Sequence, residues 1–186
     1  MCSAGIQRAG ITCSVLMLAI AAGACSTTTT PTAPSALTRA VDEAASATAD
    51  LQQQLAALRQ AVSRFHNIEA AFDAGYILRD NEPCVPGMGV HVINEAFVAD
   101  PAVDPLRPEV LVYAPLPSGG YRLVAVEYLV FFDPAIPTPT VFDQTFDGPM
   151  PGHAPGMPVH WDLHVWLWAH NPDGLFAAFN PTQTCP

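Results

Sequence analysis

No lysine occurs in the 186 residues, and arginine alone carries the fixed positive charge, 7 residues against 17 Asp and Glu. The formal net charge is -10 and the pI about 4.7. This balance excludes non-specific nucleic-acid binding, which needs a basic surface. It equally excludes docking on an anionic membrane through a polybasic patch. Schiff-base chemistry and a lysine phosphate clamp are excluded with it. Serine is scarce in the second half. After Ser63 only Ser118 remains, inside a Gly-rich turn, which argues against a serine hydrolase. Phosphate-cradling glycine loops, the dinucleotide fingerprint and the Gly-x-Ser-x-Gly elbow are all missing. The cysteines offer no Cys-x-x-Cys redox pair. No apolar run reaches the roughly 20 residues of a membrane span.

What is present begins with a candidate export signal. Ile11 to Ala22 is an apolar stretch of about 12 residues behind a single charge, Arg8, a length that suits a signal peptide. Ala22-Gly23-Ala24-Cys25 follows and resembles a bacterial lipoprotein box. It implies a signal over 1–24, lipidation of Cys25 and attachment to a membrane through it; plain secretion after Ala24 is the alternative. Residues 25–36 then read as the anchor cysteine and a flexible linker, because STTTTPTAPSA holds no large apolar residue and no charge. Residues 37–186 form the expected single domain. Cys2 and Cys13 leave with the signal, so Cys84 and Cys185 remain as an even pair in an oxidising compartment, where a disulfide is favoured. Two free buried thiols are the alternative.

From Leu37 to Gly75 there is no Pro and no Gly before the last residue. Leu51, Leu55, Leu58, Val62, Phe65, Ile68 and Phe72 recur at helical spacing, in one helix or in two broken near Ser63. Beyond residue 82 the chain holds 17 of its 19 prolines, so an all-helical fold is excluded. The apolar period there becomes two. Strands are expected at 88–98, 109–116, 121–132 and 159–169, with a loop over 133–158 that carries one short strand near 140–146. Ser118-Gly119-Gly120 reads as a hairpin turn, and Leu175 to Phe179 as a helical turn. The fold class is α+β: an N-terminal helix packed on an antiparallel sheet of four to five strands.

Three of those strands carry an ionisable residue in an apolar setting: His91 in MGVHVIN, Glu127 in LVAVEYLVFF and His164 in WDLHVWLW. A carboxylate inside an apolar strand is costly unless it is paired or binds a cation. Two His and one carboxylate form a common donor set for a divalent transition metal such as Zn, Cu, Fe or Mn. His160 and His164 stand about 13 Å apart on a strand and cannot share one ion. His160 is therefore assigned to the mouth of the site. Asp162 lies on the same strand face as His164, as a ligand or as a group orienting an imidazole. His66, beside Phe65 on the helix, is a further candidate, whereas His153 and His170 are expected in solvated loops.

Two other readings stand beside metal binding. The aromatics Trp161, Trp166, Trp168, Tyr128 and Phe131 cluster near the last strand and suit a metal-free module for a small apolar or cell-envelope ligand. Alternatively, three protein ligands leave coordination positions open for a small metal-dependent oxygenase or hydrolase, with Asp162 or His160 as proton acceptor.

The segments RFHNIEAAFDAGY at 64–76, GMGVHVIN at 87–94, PEVLVYAPLPSGGYRLVAVEYLV at 108–130 and LHVWLWAHNPDGLFAAFNPTQTC at 163–185 occur together. Jointly they resemble an uncharacterised family of secreted bacterial proteins with a Gly-Met-Gly-x-His element, a Glu-Tyr strand and a terminal Leu-His-x-Trp-x-Trp element ending in Cys. Val92 departs from that pattern, where an aromatic is usual. The resemblance implies membership without an activity, and it singles out His91, Glu127, His164, Cys84 and Cys185.

Overall fold

The computed structural model describes residues 35–79, 84–153 and 156–186. The signal, Cys25 and nearly all of the linker lie outside the described residues. Helix α1 spans Ala36–Val62, and its Ser35 cap accepts the Thr38 amide on its hydroxyl. Ala, Leu and Gln dominate it, and neither Gly nor Pro interrupts it. Its first half is exposed, and it buries only Leu55, Leu58 and Val62. A 3-10 turn at Ser63–His66 breaks the helix where two segments were an open alternative. A second helix, α2 (Ile68–Asp73), is capped by Asn67. Gly75 follows at φ 87°, a left-handed stop that only glycine adopts without strain.

The remaining elements are β1 (Val90–Ile93), α3 (Glu95–Val98), β2 (Val110–Pro115), β3 (Tyr121–Phe131), β4 (Thr140–Val141), β5 (Gln144–Thr145), β6 (Asp147–Met150) and β7 (His160–Val165). Five of the strands form one antiparallel sheet in the order β1-β2-β3-β7-β6, and β4 and β5 form a small hairpin. The α+β expectation is met. One face of the sheet carries the main core, with Leu55, Leu58, Val62 and Phe65 packed on Val92, Leu111, Tyr113, Val126, Tyr128, Leu163 and Val165. Buried tyrosines there keep their hydroxyls hydrogen-bonded: Tyr113 donates to the Phe65 carbonyl at 2.7 Å and Tyr76 to that of Pro108 at 2.7 Å.

Four expectations are corrected. The first strand, expected over 88–98, is confined to Val90–Ile93, because the Asn94 side chain accepts the Ala96 and Phe97 amides and starts helix α3 there. The segment 133–158 holds three short strands, and β6 joins the main sheet as an edge. Pro149 is tolerated there because an edge strand needs ladder bonds on one side only. The last strand stops at Val165 instead of Ala169. A bulge between β2 and β3 frees the Val124 carbonyl, which accepts the amides of Trp168 and Ala169 and draws the chain off the ladder. Residues 175–179 make turns without a helix. Cys84 and Cys185 are disulfide-bonded, their Cα atoms 5.7 Å apart. The tail is held further by the Asn180 amide on the Gly87 carbonyl (2.7 Å) and the Asn171 side chain on that of Phe179 (2.9 Å).

Candidate metal centre

Alternation along the strands decides which side chains meet. In β3, Val126, Tyr128 and Val130 face the helix, so Glu127 and Leu129 face away from it. In β7, Trp161, Leu163 and Val165 face the helix, which turns His160, Asp162 and His164 to the other side. Glu127 and His164 are direct cross-strand partners. His91 is paired with Val112 of β2 and reaches Glu127 across that strand, over the buried Val110 and Val112. The small β-branched floor of β2 makes this reach possible.

His91 Nε2 lies 3.3 Å from Glu127 Oε2, and His164 Nε2 lies 3.9 Å from the same oxygen. The two imidazole rings are 6.0 Å apart and nearly perpendicular. One ligand atom from each of the three residues falls within 4.8 Å of the others, so the group could hold a metal ion. Donors at about 2.0–2.2 Å around a tetrahedral ion stand about 3.4 Å apart. The observed separations are close to this, and small rotations would close the remainder. Glu127 and His164 are buried, while His91 keeps 14 % of its side chain exposed. Neither ring nitrogen of His164 has a hydrogen-bond partner, and an imidazole left so in a buried site is costly. Trp166 stacks on the His164 ring at 5.8 Å and donates its indole N–H to the Ala177 carbonyl, which ties the centre to the C-terminal tail.

Burial is the main cause that pushes His91 down to about 3, with the neighbouring His164 adding to it. Burial likewise pushes His164 down to about 4, partly opposed by the Asp162 charge. Both rings are therefore neutral at physiological pH, the state in which imidazole binds metals. Proton competition, expected from an ordinary histidine below about pH 6, moves toward pH 4.

The other assigned residues separate into distinct places. His160 and His164 serve different groups, as their spacing required. Asp162 belongs with His160, whose Nε2 is 3.5 Å from its Oδ2, instead of sitting at a ligand position beside His164. His153 is exposed in its loop, as expected, and its ring also lies within 5.2 Å of the His160 ring, a proximity that the sequence around it does not signal. His66 is not brought to the centre, because the helical segment that carries it packs on the opposite sheet face, where it meets Trp168 edge-on. His170 is exposed as expected. The tryptophans do not line one pocket: Trp161 packs in the helix-side core, Trp166 on the other face and Trp168 against His66.

Sequence reasoning missed Glu109. It is 2 % exposed, accepts the Leu129 amide at 3.1 Å, and is pushed up to about 7, chiefly by burial. No helix among the described residues is long and apolar enough to cross a membrane. No protein-family model, curated protein or solved structure matches this chain.

Proposed function

We propose that this protein is an extracytoplasmic metal-binding domain that holds a divalent transition ion through His91, Glu127 and His164. The observation that carries the reading is the convergence of two imidazoles and a buried carboxylate, from three strands, on one point of the sheet face away from the helix. The donor set of two nitrogens and one oxygen suits Zn, Cu, Fe or Mn and leaves at least one position for water or a small ligand. Export and attachment through Cys25 belong to the same proposal. The Cys84–Cys185 disulfide supports it, because such bonds persist in oxidising compartments.

The test is elemental analysis of the purified protein beside a His164→Ala variant, with thermal unfolding in Zn²⁺, Cu²⁺, Fe²⁺ and Mn²⁺. Bound metal in the wild type, lower by about one equivalent per chain in the variant, is the expected result. Absence of metal from both, with no thermal shift from any of the four ions, would overturn the proposal. The metal-free ligand module is not carried forward, since the tryptophans that motivated it do not share a cavity.

A further inference from the structure

His160, Asp162 and His153 form a second group on the same sheet face, and their ligand atoms also fall within 4.8 Å of one another. His160 and Asp162 are completely buried. His160 Nδ1 is 3.1 Å from the Pro158 carbonyl oxygen. That oxygen has no proton to give, so Nδ1 carries the hydrogen and donates it. In the neutral ring, Nε2 then holds a lone pair, and it faces Asp162 Oδ2 at 3.5 Å. Neither this nitrogen nor either Asp162 oxygen has a hydrogen-bond partner.

Two buried acceptors aimed at one another repel unless a proton or a cation stands between them. A shared proton would draw the pair to about 2.7–2.9 Å, the length of a charge-assisted N–H···O bond. The observed gap is wider and suits two ligands of one ion better. The surroundings add negative charge and a third donor. Asp147 of β6 is the direct cross-strand partner of Asp162, and His153 supplies an imidazole from the loop above. Gly148 lets β6 come this close, because a Cβ there would meet the His160 carbonyl at 2.8 Å.

We infer that His153, His160 and Asp162 form a second divalent transition-metal site, separate from the His91–Glu127–His164 centre and completed by His153. Its donors are two imidazole nitrogens and a carboxylate, a set suited to Zn²⁺ or Cu²⁺. Occupancy would fasten the Pro-rich loop to β7. The inference goes beyond the proposed function and does not require it, since the two groups share no ligand.

The test is Zn²⁺ titration of the purified full chain by calorimetry, comparing wild type, His153→Ala, Asp162→Asn and His164→Ala. His153 is exposed, so its truncation leaves the fold intact, and circular dichroism checks the other two. The expected result is two equivalents of Zn²⁺ in the wild type. His153→Ala and Asp162→Asn each weaken one of them at least tenfold and spare the other, and His164→Ala does the reverse. A single equivalent abolished by His164→Ala and untouched by His153→Ala would overturn the second site while leaving the first. A single equivalent abolished by either substitution would overturn the separation into two sites. A single equivalent that survives His164→Ala but not His153→Ala would support this site and count against the first. No Zn²⁺ binding at all would overturn both.

Discussion

The two faces of the five-stranded sheet use the same alternation to opposite ends. On the helix side, every second residue of β3 and β7 is apolar, the Tyr76 and Tyr113 hydroxyls are seated on backbone carbonyls, and the Trp161 indole N–H is the one buried side-chain polar atom of the described residues there without a partner. On the other side, the alternate positions of β7 are His160, Asp162 and His164, all buried, and five of their side-chain nitrogen and oxygen atoms have no hydrogen-bond partner. The first face leaves one indole N–H unmatched. The second leaves five nitrogen and oxygen atoms of one strand unmatched. Burial by itself therefore does not identify a core; the test is whether buried polar atoms are matched.

The comparison breaks most sharply under substitution of the helix-side core. Leu58→Ala removes a completely buried side chain and should cost about 2–5 kcal/mol. Urea unfolding should give the same loss with and without Zn²⁺, because this face has no part in metal binding. Cys185→Ser should cost about 2–4 kcal/mol by freeing a cross-link between positions 101 residues apart. It should also weaken metal binding, since the tail seats Trp166, which stacks on His164. Equal metal affinity in the two proteins would show that the tail does not position the centre.

Acidity sharpens the contrast. His91 and His164 titrate at about 3 and about 4 in the folded, metal-free protein, against 6.5 unfolded. The unfolded chain then takes up their protons first, so their contribution to stability is full above about pH 6.5 and declines as pH falls through about 4 to about 3. Glu109 acts in the opposite sense. Its pKa is about 7 folded and 4.5 unfolded, so stability is lost as pH rises from about 4.5 through 7, on the order of 3 kcal/mol by linkage. Glu109→Gln should remove that loss, measured as unfolding free energy at pH 5 and pH 8. The smallest change in metal-free stability is expected for His91→Ala, the ligand with part of its surface in solvent, at under about 1 kcal/mol. The same variant should forfeit the stabilisation that a metal confers, about 2.7 kcal/mol at a hundredfold excess over Kd. Thermal unfolding with and without Zn²⁺ separates the two effects.

The helix, the sheet and the disulfide were legible in the sequence because each rests on a local or countable signal. Leu55, Leu58 and Val62 recur at helical spacing, β3 is an apolar run interrupted only by Arg122 and Glu127, and two cysteines remained once the others were assigned. His91, Glu127 and His164 were legible for a related reason, as ionisable residues inside apolar runs. The segment 133–158 was not, because its Pro and Gly residues erase the period of two, and β6 pairs through an irregular register. That His153 lies beside His160 was missed with it. Its neighbours in sequence describe a solvated loop, and only the return of that loop over β7 brings it to His160. The end of β7 at Val165 was equally hidden, since it goes with the distant Trp168 and Ala169 amides finding the Val124 carbonyl.

The most direct measurement is anomalous diffraction at the zinc edge from crystals of the protein grown with Zn²⁺. The account predicts a strong anomalous peak on the sheet face opposite the helix, within about 2.0–2.2 Å of His91 Nε2, His164 Nε2 and a Glu127 oxygen. A map with no peak there, and with His91 and His164 hydrogen-bonded to ordered water or to Glu127 alone, would contradict it.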